Sequence, residues 1–166
     1  MFLTSSRNYD KTNTQILKHS INKEGYYCVY VTVNKPYSSL KKKLEKEKIN
    51  IQNIFFIDAV SPVEETRAGN AVFVGSPKAL TKISLVSNKA LQKMPENKRL
   101  LFLDSLSTIS LYNKKGNVSK FADFIIRKRR EGNMKAAIIS LKKDKKGTKE
   151  ISNYLSQLVD KVIEVG

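Results

Sequence analysis

The chain has 166 residues, 40% of them hydrophobic, with glycines and prolines scattered rather than periodic; that excludes a fibrous or low-complexity chain and supplies the core of one domain over residues 1–166. A single cysteine, Cys28, excludes a disulfide framework or a cysteine metal site, and no apolar run nears the ~20 residues that cross a bilayer, so a cytoplasmic protein with no membrane span is expected. The 31 lysines and arginines against 15 acidic residues give a net charge of +16, a field that concentrates polyanions and makes nucleic acid a candidate partner, although a lysine-biased proteome gives the same composition.

Short β-rich runs alternate with longer helical patterns from end to end. Strands are predicted over Met1 to Ser5, Tyr26 to Val33, Asn53 to Asp58, Ala71 to Gly75, Arg99 to Asp104, Ala136 to Leu141 and Val162 to Val165. Most are continuous apolar runs, as strands buried on both faces are. Helices are predicted over Thr12 to Asn22, Tyr37 to Lys48, Leu80 to Met94 (ended by Pro95), Val118 to Arg130 and Thr148 to Asp160, where apolar residues return every three or four positions. Ser61 to Asn70 is charged and aperiodic and reads as a loop. Such alternation predicts an α/β fold with a mostly parallel sheet. It leaves strand order open, and a doubly wound flavodoxin-type domain is the alternative; in either case Ser5, Asn34, Asp58 and Asp104 gather at strand C-terminal ends, where such folds bind ligands.

The first strand runs into Ser5-Ser6-Arg7-Asn8-Tyr9-Asp10-Lys11-Thr12. Its end matches the last two positions of the phosphate-loop pattern G-x-x-x-x-G-K-[ST], in which glycines let backbone N–H groups wrap phosphate, the lysine reaches the outer phosphates and the hydroxyl holds Mg²⁺. Here Ser5 and Asp10 replace both glycines. A carboxylate within ~5 Å of a triphosphate is repelled by several kcal/mol at intermediate dielectric, and Asp10 equally suits the N-cap of the following helix. The loop therefore reads either as an altered nucleotide site, with Ser5, Ser6, Asp10, Lys11 and Thr12 as binding candidates, or as a plain turn.

Three further segments carry a family resemblance. Arg99 to Ser107, RLLFLDSLS, resembles the Walker B strand of RecA/KaiC-like ATPases; Ile54 to Ala59, IFFIDA, and Gly75 to Ser84, GSPKALTKIS, resemble segments of archaeal KaiC-like proteins. The last helix, strand, helix and strand also follow that family's order, so the resemblance spans nearly the whole chain. It implies a three-layer RecA-like P-loop NTPase fold with a mostly parallel central sheet, possible ATP and Mg²⁺ as cofactors, nucleotide contacts at Lys11 and Thr12, and magnesium held by Thr12 and Asp104. The family's water-activating glutamate does not carry over, because Thr32-Val33-Asn34-Lys35-Pro36 stands at the matching stretch. Asn34 is a far poorer proton acceptor than glutamate. The resemblance with these losses implies a pseudo-ATPase that binds a protein partner or forms a homo-oligomer.

Two other readings remain at this stage. In an active ATPase, Asp58, Glu64, Glu65 or a neighbouring subunit's carboxylate would serve as base. In a nucleic-acid-binding protein, the basic face of Arg127, Lys128, Arg129 and Arg130 with Lys142, Lys143, Lys145 and Lys146 would meet phosphates as one patch; Tyr112, Asn113, Lys114 and Lys115 form a second basic stretch beside an aromatic. His19 is expected on an exposed helix side and Cys28 in the core.

Overall fold

The computed structural model describes residues 1–63, 69–132, 134–142 and 146–166, without the side chains of 146–149. Its seven strands are β1 (Phe2–Thr4), β2 (Tyr27–Thr32), β3 (Ile54–Asp58), β4 (Ala71–Phe73), β5 (Arg99–Asp104), β6 (Met134–Leu141) and β7 (Ile163–Val165). They pair in parallel in the order β4-β3-β2-β5-β6-β1-β7. This order differs from the 2-1-3-4-5 of flavodoxin-type sheets, which disposes of that alternative. It also puts β6 between β1 and β5.

The helices are α1 (Tyr9–Leu17), continued by a wider π-helical turn over Lys18–Lys23, then α2 (Tyr37–Lys46), α3 (Leu80–Gln92), α4 (Leu106–Tyr112), α5 (Lys115–Glu131) and α6 (Lys146–Ser156). Gly25, at φ +70°, ends the π-helical turn in the left-handed conformation that costs glycine least. Leu17, Ile21, Leu40 and Leu44 of the first two helices cover one face of the sheet, packing on Tyr30, Phe56 and Phe102. Helices α3 to α6 cover the other face with Ile83, Leu91, Ile109, Phe121, Ile125 and Leu155. The result is three layers with two cores, which is why the strands read as unbroken apolar runs.

Helix α4 is a departure from the sequence-based expectation. Ser105 opens it, its hydroxyl accepting from the Thr108 N–H at 3.4 Å, while Leu106 and Ile109 are fully buried. Two apolar residues one turn apart directly after a strand extend that strand's apolar run, so the seven-residue helix has little periodic signature of its own. Of the second basic stretch, Tyr112 ends α4, Asn113 and Lys114 link the two helices, and Lys115 begins α5 with its Nζ 2.7 Å from Glu150.

Candidate functional site

Period-two alternation sets the site's floor. Tyr30 on β2 lies in register with Phe56 on β3 and Phe102 on β5; the three rings pack with Tyr30 and Phe102 centroids 4.9 Å apart. Two residues on, and therefore on the same face, come Thr32, Asp58 and Asp104. All three are buried at the C-terminal ends of their strands.

Asp104 accepts hydrogen bonds from the Tyr30 hydroxyl at 2.5 Å and from Asn34 Nδ2 at 2.9 Å. It is 2% exposed, and burial pushes its carboxyl up to about 7. Asn34 does not stand free to orient a water. Its amide protons face the Tyr9 hydroxyl, Asp104 and Ser105, and its carbonyl oxygen accepts from Thr108. Asp104 therefore turns inward beneath α1 and α2, and the turn before Ser107 and Thr108 is capped by Ser105 instead.

Between β1 and α1, Ser5 to Asn8 form a closed turn. The Asn8 N–H donates to the Ser5 carbonyl at 3.1 Å and lies 3.3 Å from its hydroxyl. Left-handed backbone occurs among the described residues at Gly25, Lys48, Gly75 and Asn97, not at Ser5 or Asp10, so neither glycine position of the phosphate-loop pattern uses glycine's freedom here. Ser6 and Lys11 are exposed. Thr12 is buried, with its hydroxyl 3.1 Å from that of Thr4.

Asp10 is not the N-cap. Asn8 occupies that position without a side-chain cap, and Asp10 is the second residue of α1, where its charge suits the helix's positive end. Its carboxylate sits between Lys35 Nζ at 2.6 Å and Lys43 Nζ at 2.9 Å. Partial burial raises its proton affinity, but hydrogen bonds and charge from Lys35 and Lys43 outweigh that and hold the carboxyl below its ordinary range. The cation that Lys35 brings to the site is thus already matched.

Asp10 and Asp104 come together around a cavity of about 10 Å³, lined also by Asn13, Tyr30, Lys35 and Lys43. That is room for about one water. Asn13 is 5% exposed, and its Oδ1 has no hydrogen-bond partner among the described residues. No sequence motif marked Asn13, Tyr30 or Lys43. The available signal was positional: Asn13 follows the loop within the first helical turns, and Tyr30 is one of the few polar-tipped residues in an apolar strand.

Asp58 serves elsewhere. Its Oδ2 accepts the first N–H of α2, from Tyr37, at 2.7 Å and the Ser61 hydroxyl at 2.7 Å, while Oδ1 takes the N–H groups of Val60 and Ser61 at 2.7 and 2.9 Å. This tethers a helix start and a loop, and it fills the lone pairs a base would need. Glu64 and Glu65 lie outside the described residues, as does half of the predicted loop. His19 is exposed, 3.6 Å from Glu24. Cys28 is fully buried, and burial pushes its thiol up. Among the described residues no group of three or more His, Cys, Asp or Glu could hold a metal, and no helix is long and apolar enough to cross a membrane.

The basic residues divide. Arg127 to Arg130 lie at the C-terminal end of α5, before β6, whereas Lys142 follows the end of β6. The eight-residue strand between them spans ~26 Å at about 3.3 Å per residue, so these residues lie at opposite rims rather than in one patch. Arg127 and Lys128 pair with Glu131 at 3.8 and 3.2 Å, Arg129 with Asp160 at 2.9 Å and Lys142 with Glu164 at 3.3 Å. Arg130 is exposed, with no ion pair among the described residues. Lys143 and Lys145, and the side chain of Lys146, lie outside the described residues.

No protein-family profile matches the chain. No curated protein matches it either. Among solved structures, the architecture is similar to that of a KaiC-like protein from the hyperthermophilic archaeon Pyrococcus horikoshii OT3, with a TM-score of 0.65 and 14% sequence identity over 98% of this chain and 68% of that one. A likeness at that identity speaks to backbone architecture alone. On it, together with the parallel strand order, the chain has a RecA/KaiC-like α/β fold.

Proposed function

We propose that the chain is a catalytically degenerate RecA/KaiC-like domain, a cytoplasmic pseudo-ATPase that acts by binding a protein partner or a second copy of itself. The observation that carries this reading is that Asp10, Thr12 and Asp104, at positions where the family would hold phosphate and magnesium, are each engaged with another side chain of the protein. Asp10 puts a carboxylate between two lysines, an arrangement a phosphate would otherwise occupy, and any incoming phosphate meets its charge. The Thr12 hydroxyl is hydrogen-bonded with that of Thr4. Burial pushes the Asp104 carboxyl up to about 7, and its protonated form is a poor magnesium ligand. This donor set does not fit a magnesium–triphosphate, and Asn34 supplies no general base. Leu111 and Tyr112, exposed at the end of α4, offer apolar surface to a partner.

The exposed side chain of Lys11 is the feature that favours an active ATPase instead, since it remains available to an outer phosphate. Steady-state ATP hydrolysis separates the two. Turnover at background, unchanged by Lys11→Ala, is expected. Turnover well above background that vanishes in that variant rejects the pseudo-ATPase.

A further inference from the structure

At the opposite rim of the sheet, where β1, β5, β6 and β7 begin, a cleft of about 280 Å³ crosses from α1 to the ends of α5 and α6. Neither the nucleotide resemblance nor the proposed function involves it. Half-buried apolar side chains, among them Phe2, Ile16, Ile126, Leu158, Val159 and Ile163, line it above a buried floor. Single exposed apolar residues are ordinary on a protein surface, but convergence of this many in one concavity marks a binding site.

The lining chemistry narrows the occupant. The walls are aliphatic apart from Phe2, and Ser20 contributes the one side-chain hydroxyl. Among the described lining residues there is no amide side chain and no aromatic pair to read or stack a base. Strands β1, β5 and β6 are interior, each paired on both sides, and the one free edge near the cleft is that of the three-residue β7, which contributes only Ile163 to the lining. A flexible alkyl chain fits these walls. The charged groups of the lining are Arg129, Lys135, Lys161, Asp160 and the Met1 α-ammonium, which donates to the Lys161 carbonyl at 2.7 Å. Asp160 neutralises Arg129 at 2.9 Å and Glu24 neutralises Lys135 at 3.1 Å. Lys161 is exposed and has no ion pair among the described residues, so the mouth keeps an unmatched positive charge.

We propose that this cleft binds a small amphiphilic carboxylate, with its alkyl chain against Ile126, Leu158 and Ile163 and its carboxylate at Lys161. Burial of the chain supplies the driving force and the lysine selects the head group.

The test is a two-dimensional NMR titration of the full chain with decanoate, kept below micelle formation, alongside neutral decanol. Saturable shifts confined to residues around Ile126, Leu158 and Ile163 are expected, with decanol binding about fivefold more weakly, the worth of one exposed ion pair. Lys161→Glu, a surface change that leaves the apolar walls intact, should weaken decanoate by at least that factor and leave decanol unchanged. Ile126→Glu should remove both. Absence of saturable shifts, shifts shared equally with exposed Leu85 and Leu111, full decanoate affinity in Lys161→Glu, or self-association that buries the cleft without ligand would each overturn the proposal. None of these outcomes bears on ATP turnover, which is read at the other rim.

Discussion

Between pH 4 and pH 7 the unfolding free energy is expected to lose up to about 4 kcal/mol through Asp104 alone, and this contribution should be level above pH 7. The carboxyl has its folded-state value raised from 3.8 to about 7 by burial. Within that window the native protein holds a proton that the unfolded chain has released, so stability falls as pH rises. The Tyr30 and Asn34 hydrogen bonds favour the ionised form and oppose the burial, which makes 4 kcal/mol the upper bound. Urea unfolding of the native protein and Asp104→Asn at several pH values isolates the effect, because other titrating groups cancel in the difference. The variant should gain on the native protein steadily from pH 4 to 7. Parallel profiles would mean that Asp104 is solvated or paired with a cation.

A change of similar size is expected from Phe102→Ala, by a different route. Phe102 is fully buried and packs tilted against Tyr30, which in turn holds Asp104. Removing the ring leaves a cavity in a core that relaxes only in part, at a cost of about 3–5 kcal/mol. Chemical denaturation measures it directly. A loss below 1 kcal/mol would show that the aromatic layer beneath the site is loosely packed.

Legibility followed the origin of each signal. Strands are legible where a sheet covered on both faces leaves an unbroken apolar run, such as Arg99 to Asp104, whereas the edge strand β7 carries the exposed Glu164. Helix α4 was not, because Leu106 and Ile109 continue the apolar run of β5. Helix α1 begins at Tyr9, ahead of the predicted Thr12, because Asn8 rather than Asp10 occupies its N-cap position. The candidate site was legible in its place and not in its bonding. Thr4 and Thr12 are close in sequence, but Lys35 and Lys43 reach Asp10 across a crossover, and Tyr30 reaches Asp104 only through the pairing of β2 with β5. Strand register is a tertiary outcome, so no local pattern could have announced that a buried tyrosine would donate to this carboxylate.

Thermal unfolding with increasing Mg²⁺-ATP puts the central claim, that internal side-chain contacts take the place of nucleotide, most directly at risk. Ligand at a hundred times its dissociation constant adds ~2.7 kcal/mol, a rise of roughly 5 °C or more for a chain of this size. The account predicts no saturable rise, in the native protein or in Lys11→Ala. A saturable rise of that size in the native protein, lost in Lys11→Ala, would contradict it.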